Sequence, residues 1–197
     1  EKLREDMEMV IGNAAGALTK GTPESTLGNW VADLMVSMSK QYFEEPVDFA
    51  IHNQGGLRIP EMPAGPIKVS TVYQLMPFDN TMVVVKMNGE QAKQLFERMA
   101  QARGWPVSEE VSYHIREGRP EEIRIQGAPL QASRSCHVAM PDYVANGGDN
   151  CDFRRTHPQQ SSGKFTRDVI MEYLRQQTAA GKAIESKLDG RVTSNDR

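Results

Sequence analysis

The sequence is poor in cysteine and contains no long apolar run. Only two of its 197 residues are cysteine, which excludes a disulfide scaffold and a zinc site built from cysteine ligands. Cys136 and Cys151 are compatible with one disulfide or with two separate buried thiols, and the sequence leaves both options open. The longest apolar runs, such as residues 82–85, are too short to cross a bilayer, so we predict no transmembrane segment.

An excess of positive charge is also missing. The formal net charge is −3 at pH 7, whereas proteins that bind nucleic-acid backbones usually carry a basic excess. Hydrophobic residues make up 39% of the chain and charged residues 25%, values typical of a globular domain and not of a disordered chain. We therefore predict one folded domain over residues 1–197 that does not bind a nucleic acid polymer.

Spacings typical of metal, nucleotide-triphosphate or acyl-transfer chemistry are absent. The four histidines are isolated along the chain, and no cluster of His, Asp and Asn offers the ligands that two metal ions need. Neither of the two common glycine-rich phosphate-binding motifs is present, and there is no Gly-x-Ser-x-Gly elbow. Cys136 and His137 are neighbours in a predicted strand, so their side chains point to opposite faces. By itself the sequence predicts no catalytic residue and no cofactor in this chain.

Hydrophobic periodicity predicts an irregular mixture of helices and strands. The predicted helices cover residues 25–40, 70–75, 90–103 and 165–174. The predicted strands cover residues 47–51, 81–87, 111–115, 122–125, 135–140 and 191–193. Ser25 and Ser70 are the expected caps of the first two helices, and the Asn88-Gly89 pair is the expected turn after the valine-rich second strand. Because hairpin-like pairs outnumber strand–helix–strand units, the pattern indicates an α+β fold, a single domain with a mixed sheet and packed helices.

Two glycine pairs each follow a predicted strand. The first lies in Asn53-Gln54-Gly55-Gly56-Leu57-Arg58 and the second in Tyr143-Val144-Ala145-Asn146-Gly147-Gly148-Asp149. Glycine lets a ligand approach the backbone closely, Arg58 offers a planar fork for a phosphate or carboxylate, and Asp149 can accept hydrogen bonds from vicinal hydroxyls. Each segment on its own also fits an ordinary tight turn, and Phe78, in a loop after a predicted helix, also fits a core residue.

Four motifs in a fixed order make the chain similar to a known family. They are residues 27–33 (LGNWVAD), 53–58 (NQGGLR), 76–78 (MPF) and 143–149 (YVANGGD), with weaker matches at 10–12 and 189–192. Their order and spacing resemble the C-terminal domain of the 5′-nucleotidases, a family that includes periplasmic UDP-sugar hydrolases and ecto-5′-nucleotidase. The resemblance covers nearly the whole chain and implies the fold of that domain.

The resemblance implies a ligand site made of aromatic, amide and charged side chains. Phe78 and Tyr143 are expected to sandwich a base, and Tyr143 stands where Phe is common, which keeps the aromatic face and adds a hydroxyl whose loss we expect to be nearly silent. Asn53 is expected to contact the base edge, Arg58 to help hold phosphate and Asp149 to bind the ribose hydroxyls. The other candidate substrate-binding residues lie in the two glycine segments and are Gly55, Gly56, Asn146 and Gly148.

One charged position departs from the family pattern. Many members carry an arginine just before the first motif, where this chain has residues 20–24 with Lys20 as their only cation. A lysine is a point charge on a flexible stem. The expected grip on phosphate is therefore weaker than the family pattern implies.

The resemblance also implies a second domain and an exported location. Members of the family carry an N-terminal metallophosphatase domain that binds two divalent metal ions and hydrolyses the phosphate ester. That domain is absent from these residues, so we expect no metal, no cofactor and no hydrolysis in this chain alone. Residues 1–9 fit the tail of an interdomain linker or of a processed leader. The expected location is the periplasm or the cell surface, with a lipid anchor on a removed leader as one option.

The expected function is recognition of a nucleotide or nucleoside for a metallophosphatase domain, in the same chain or as a separate one. This would make the chain part of a hydrolase of nucleotide catabolism. The alternative is a stand-alone module that binds nucleosides or nucleotide sugars without turnover.

Overall fold

The structure is a computed structural model that describes residues 1–152 and 157–196. Its helices are α1 (Lys2–Glu8), α2 (Thr26–Ser39), α3 (Val69–Leu75), α4 (Gly89–Gln101), α5 (Asp142–Ala145) and α6 (Thr166–Ala179). Its strands are β1 (Val10–Ala14), β2 (Leu18–Thr19), β3 (Phe49–Ala50), β4 (Glu61–Met62), β5 (Gly65–Lys68), β6 (Thr81–Asn88), β7 (Val111–Arg116), β8 (Arg119–Ile125), β9 (Ala128–Pro129), β10 (Ser135–Pro141), β11 (Gln159–Phe165) and β12 (Val192–Ser194). Within the described ranges no helix combines the length and the apolar character needed to span a membrane.

Two four-stranded sheets carry the fold. In the first, here called the central sheet, the order is β11-β6-β10-β3; β6 is antiparallel to both of its neighbours, whereas β3 is parallel to β10. In the second, the order is β12-β7-β8-β9, with β12 parallel to β7 and the other pairs antiparallel. The pairs β1-β5 and β2-β4 are separate and antiparallel. The mixed sheets with packed helices confirm the predicted α+β domain.

Side chains of β6 alternate between two hydrophobic clusters. Met82 and Val84 pack into a cluster with α2, α3 and α6, while Val83, Val85 and Met87 pack into a second cluster with α4 and β7. Successive side chains of a strand point to opposite faces, so the central sheet is buried on both sides at this strand. This burial explains why β6 is a continuous valine-rich run and not an alternation of apolar and polar residues.

The two predicted serine caps have different outcomes. Ser25 caps α2 as predicted, because its Oγ accepts a hydrogen bond from the backbone N–H of Gly28 at 3.0 Å. The prediction for Ser70 is wrong. Helix α3 begins at Val69 after Lys68, and no side chain caps its start. Because Ser70 lies inside the first turn, two residues after the N-cap position at Lys68, its hydroxyl is too late in the chain to satisfy the first helical N–H groups.

The Asn88-Gly89 pair ends β6 as predicted but does not form a turn. The backbone N–H of Gln91 donates to Asn88 Oδ1 at 2.9 Å, and the backbone N–H of Asn88 donates to Gln91 Oε1 at 2.8 Å. This reciprocal pair is a capping box at the start of α4. The turn prediction is wrong because asparagine is favoured both in hairpin turns and at helix N-caps.

Most elements that the sequence did not predict are short. Strands β2, β4 and β9 have two residues each, too few to show a period. The predicted strand over 47–51 is likewise reduced to β3. Strand β11 is longer, but it is almost entirely exposed because it forms an edge of the central sheet. Residue 165, the predicted start of the last helix, is the end of β11, and α6 continues past the predicted end at 174.

The two cysteines are buried as thiols, with no disulfide between them. Cys136 lies on β10, where burial raises the pKa of its thiol. His137 follows it on the other face of the strand, as expected, and places Nε2 2.7 Å from Glu45 Oε2. Of the two options that the sequence left open, the structure has the separate thiols.

We predict that Asn88→Ala lowers the free energy of unfolding by about 1 kcal/mol, the usual effect of removing a helix N-cap. Denaturant unfolding measures this change. Lys93→Ala, an exposed substitution on the same helix, is the matched control and should change the free energy of unfolding by less than about 0.5 kcal/mol. Equal effects of the two substitutions would contradict the capping role.

Candidate functional site

Three loops meet at one end of the central sheet. They are the first glycine segment (residues 53–58) after β3, the Phe78 loop (residues 76–80) before β6, and the second glycine segment (residues 143–149) after β10. Pro141, at the end of β10, pairs with Met82 near the start of β6, and Ala139 pairs with Ala50 at the end of β3. Because β10 runs antiparallel to β6 and parallel to β3, the end of β10 lies beside the start of β6 and the end of β3. Strand pairing therefore brings distant parts of the sequence together.

The three loops enclose a cavity of about 340 Å³, here called the candidate cavity. Its lining residues are Asn53, Gly55, Gly56, Arg58, Phe78, Asn80, Tyr143 and Asp149. Of the candidate substrate-binding residues, Asn146 and Gly148 lie outside this lining. Asn80 lines the cavity although the sequence did not single it out; its place two residues after Phe78 was the only available signal.

The two aromatic rings of the cavity are exposed. Phe78 is 50% exposed and Tyr143 is 45% exposed, so Phe78 is not a core residue, and the core alternative is wrong. The guanidinium carbon of Arg58 lies 5.7 Å from the centroid of the Phe78 ring, within the range of a cation–π contact. The cavity thus offers two accessible ring surfaces and one exposed cation.

The carboxylate of Asp149 joins the two glycine segments. Its Oδ2 accepts a hydrogen bond from Asn53 Nδ2 at 2.7 Å, and its Oδ1 accepts one from the Tyr143 hydroxyl at 3.2 Å. The hydroxyl of Tyr143 therefore has a partner that the sequence did not indicate. Asp149 has a φ of 50°, a left-handed conformation, and its carbonyl oxygen accepts a hydrogen bond from Arg98 Nε at 2.6 Å. Side-chain and backbone contacts both fix the direction of this carboxylate.

The floor of the cavity requires glycine. A Cβ on Gly56 would lie 2.4 Å from His52 Cε1, closer than two carbon atoms can approach. His52 is fully buried, and its Nδ1 lies 3.0 Å from the carbonyl oxygen of Asn53. Since a carbonyl oxygen only accepts, Nδ1 carries the proton. Burial lowers the pKa of His52 to about 4, so the ring is neutral at pH 7 and supports the loop without adding charge.

The two predicted residues outside the lining have other contacts. A Cβ on Gly148 would lie 2.5 Å from ring atoms of Tyr143, so this glycine gives the Tyr143 ring its space. Asn146 Oδ1 accepts a hydrogen bond from Gln159 Nε2 at 2.9 Å, which ties the second glycine segment to β11. Both residues therefore contact neighbours of the cavity instead of its interior.

Lys20 is a second cation close to Arg58. Lys20 Nζ donates to the carbonyl oxygen of Leu57 at 2.8 Å. Burial and the nearby charge of Arg58 lower the pKa of Lys20. The position at which the chain departs from the family pattern is therefore next to the candidate cavity, where Lys20 adds positive charge without lining it.

A larger cavity of about 680 Å³ lies beside α2 and contains none of the predicted site residues. Its buried cation is Arg191, whose Nε and both terminal nitrogens donate to Asp33, Asp189 and the carbonyl oxygen of Val107 at 2.7–3.2 Å. These bonds engage all five guanidinium N–H groups. Arg191 is therefore occupied in joining the C-terminal segment to α2, and it offers no donor to a ligand.

Metal ligands do not cluster in the part of the chain that the structure describes. Among residues 1–152 and 157–196, no group of three or more His, Cys, Asp or Glu side chains is arranged to hold a metal ion. The described residues therefore do not fit the two divalent ions that the resemblance implies for the family.

Comparison with known proteins matches one family over most of the chain. Residues 10–156 match the model of the family described as "5′-nucleotidase, C-terminal domain". Protein UshA of Salmonella pullorum is 26% identical over 146 residues, which cover 72% of this chain and 26% of that protein. The chain thus spans about a quarter of the length of this curated relative.

Solved structures share the fold. The 5′-nucleotidase precursor of Thermus thermophilus superposes with a TM-score of 0.88 and 26% identity, covering 100% of this chain and 41% of that one. The NAD nucleotidase of Haemophilus influenzae has a TM-score of 0.78 at 17% identity, covers 98% of this chain and 39% of that one, and shows the fold alone.

We predict that His52 makes stability depend on pH. Its folded-state pKa lies below its ordinary value of about 6.5, so between about pH 6.5 and about pH 4 the unfolded chain binds a proton that the folded chain does not. Stability is therefore full above this window and is lost as pH falls, by an amount on the order of 3 kcal/mol. Denaturant unfolding across this range should show a smaller loss for His52→Gln than for the unsubstituted chain.

His114→Gln, which removes a partly exposed histidine on β7, controls for the loss of one imidazole. If the His52→Gln variant does not fold, an NMR titration of the unsubstituted chain gives the same information. Two results would contradict the prediction: an equal loss of stability with falling pH in His52→Gln and in the unsubstituted chain, or a His52 ring that titrates near pH 6.5.

Proposed function

The chain belongs to the 5′-nucleotidase C-terminal domain family, and on that premise we propose that it binds the nucleoside part of a nucleotide in the candidate cavity. The observation that carries the proposal is the meeting of two exposed aromatic rings, an oriented carboxylate and an exposed guanidinium around one cavity. These groups come from three separate loops. Together they match the chemistry of a base, a ribose and a phosphate.

In this proposal the base stacks on Phe78 and Tyr143. Aromatic side chains with exposed faces are suited to stacking because every base has a π-face. Asn80 lines the cavity beside Phe78 and offers both an amide donor and a carbonyl acceptor to the edge of the base. Asn53 is only 3% exposed, and its side-chain amide donates a hydrogen bond to Asp149. This arrangement suits a role in orienting the carboxylate, in addition to the expected contact with the base edge.

The ribose and the phosphate are assigned to two different charged groups of the cavity lining, Asp149 and Arg58. Each oxygen of Asp149 accepts one hydrogen bond from the protein, and a carboxylate can accept about four in all. Two vicinal hydroxyls can therefore bind without displacing Asn53 or Tyr143. Arg58, with Lys20 behind it, supplies positive charge and a planar fork for phosphate oxygens.

Hydrolysis is assigned to another domain. The chain spans 26% of the length of Protein UshA, and its described residues do not cluster as metal ligands. We therefore assign ester hydrolysis to a metal-bearing catalytic domain, in the same polypeptide or as a separate partner, and recognition to this chain. Nucleotides, cyclic nucleotides and nucleotide sugars all carry the groups that the cavity suits. The family resemblance favours a periplasmic or cell-surface location.

We predict that Phe78→Ala weakens adenosine binding by roughly ten- to a hundredfold, because a stacking contact contributes about 1–3 kcal/mol. Calorimetric titration measures the affinity, and thermal unfolding shows that the variant is folded. Leu188→Ala removes an exposed apolar side chain away from the cavity and should leave affinity unchanged. Unchanged affinity together with the ~3–5 kcal/mol loss of stability typical of a truncated core aromatic would make Phe78 a packing residue.

We also predict that Asp149→Asn weakens binding of adenosine by about tenfold and leaves binding of 2′,3′-dideoxyadenosine nearly unchanged, since losing a hydrogen bond to a charged group costs about 1.5–3 kcal/mol. Calorimetry with both ligands measures the difference. Asp142→Asn, outside the cavity lining, is the matched control. Equal losses for the two ligands would show that Asp149 only shapes its loop.

A further inference from the structure

A buried arginine on α6 contacts the Phe78 loop. Arg167, in the first turn of α6, is 6% exposed. Its Nη1 donates to the carbonyl oxygens of Met76 and Phe78, both at 3.3 Å, and its Nη2 donates to Asp79 Oδ1 at 2.7 Å. One guanidinium thus contacts three of the five residues of the loop. Arg167 does not line the candidate cavity.

Neighbouring contacts keep the guanidinium and the loop in place. The guanidinium carbon lies 4.3 Å from the centroid of the Tyr73 ring and 5.7 Å from that of Phe165. The backbone N–H of Thr166 donates to the carbonyl oxygen of Asn80 at 2.8 Å. The start of α6 therefore holds the loop on both sides of Phe78, while the Phe78 side chain itself remains half exposed.

The chemistry of this contact requires arginine. A buried cation needs acceptors close to its charge, and here a carboxylate and two carbonyl oxygens accept hydrogen bonds from the two terminal nitrogens of Arg167. Its Nε has no hydrogen-bond partner among the described residues. The planar fork of a guanidinium reaches all three acceptors in one fixed geometry, whereas an ammonium group is a single point on a flexible stem. Without Arg167, two backbone carbonyl oxygens that flank Pro77 lose a donor, and the loop gains freedom.

We propose that Arg167 is a positioning residue for the candidate cavity, which fixes the Phe78 ring in place before a ligand arrives. The inference rests on the proposed function, in that it assigns Phe78 to stacking on a base. A ring that is already held loses little conformational entropy when the base binds. Arg167 thereby contributes to affinity without touching the ligand.

The second glycine segment provides an internal comparison. Arg98 Nε donates to the carbonyl oxygen of Asp149 at 2.6 Å, and its guanidinium carbon lies 5.7 Å from the Trp105 ring centroid. Arg98 therefore contacts the second glycine segment and not the Phe78 loop. Substitutions of the two arginines should act through different groups of the ligand.

The first experiment is a double-mutant cycle with adenosine and the full chain. We expect Arg167→Lys to weaken adenosine binding about tenfold, and about twofold or less when Phe78 is already alanine, because the ring that it positions is gone. Arg98→Lys should weaken binding by the same factor in both backgrounds. Arg175→Lys, an exposed substitution on the same helix, should have no effect. A tenfold loss for Arg167→Lys that persists with Phe78→Ala would overturn the proposal.

The second experiment needs no ligand. Backbone hydrogen exchange at Met76 and Thr166, whose N–H groups donate to the carbonyl oxygens of Val72 and Asn80 at the two ends of the loop, should be faster in Arg167→Lys than in the unsubstituted chain, and unchanged in Arg175→Lys. Unchanged exchange in Arg167→Lys would overturn the positioning role even if nucleoside binding is weaker. An unsubstituted chain that binds no nucleoside would instead refute the proposed function, while faster exchange would still support the grip of Arg167 on the loop.

A milder variant covers the case in which Arg167→Lys does not fold. The side chain of Asp79 is 68% exposed, so Asp79→Asn removes the ion pair and keeps both carbonyl contacts. We expect Asp79→Asn to weaken adenosine binding and to speed hydrogen exchange at Met76 and Thr166, as Arg167→Lys does, but by smaller amounts. Normal exchange and normal affinity in Asp79→Asn, combined with a folded state, would count against the proposal.

Discussion

The pairing of β10 with β6 on one side and β3 on the other is the constraint on which the candidate site depends. The register runs from Ser135 opposite Asn88 to Pro141 opposite Met82. A slip of one residue would turn every side chain of β6 to the opposite face. Because β6 supplies apolar residues to a cluster on each side of the sheet, such a slip would disturb both cores at once. The same register that packs the cores also places the three loops around one cavity.

Local patterns in the sequence predict elements whose signal is contained in their own residues. The valine-rich β6, the helix that becomes α4 and the Ser25 cap of α2 all have such a signal, and all three were confirmed. Two-residue strands such as β2 have no period to detect, and polar β11 is a strand only because β6 offers it an edge. Asn88 shows a different limit, since asparagine is favoured both in hairpin turns and at helix N-caps, and only the helix that follows decides between the two roles.

The residues of the candidate site also fall into two groups, those that the sequence predicted and those that it did not. The motifs identified by family resemblance supplied most of the residues that line the cavity, although no local pattern indicated that Phe78 and Tyr143 lie together. The residues that support the lining were not predicted. Arg98 and Arg167 look like ordinary helix positions in the sequence, and their contacts with the loops span 51 and 88–91 residues of chain. The motifs contain most of the side chains that line the cavity, but not the two arginines that hold the loops in place.

The five hydrogen bonds of Arg191 affect the order in which parts of the chain can fold while it is being synthesised. Arg191 is separated from Asp33 by 158 residues, so α2 emerges long before its partner is made. The cluster that contains α2 also needs residues of α6. By contrast, the cluster on the other side of the sheet draws mostly on residues between Val83 and Cys151. During synthesis, the middle of the chain can therefore close its core first, whereas the start of the chain waits for a late segment to complete its own.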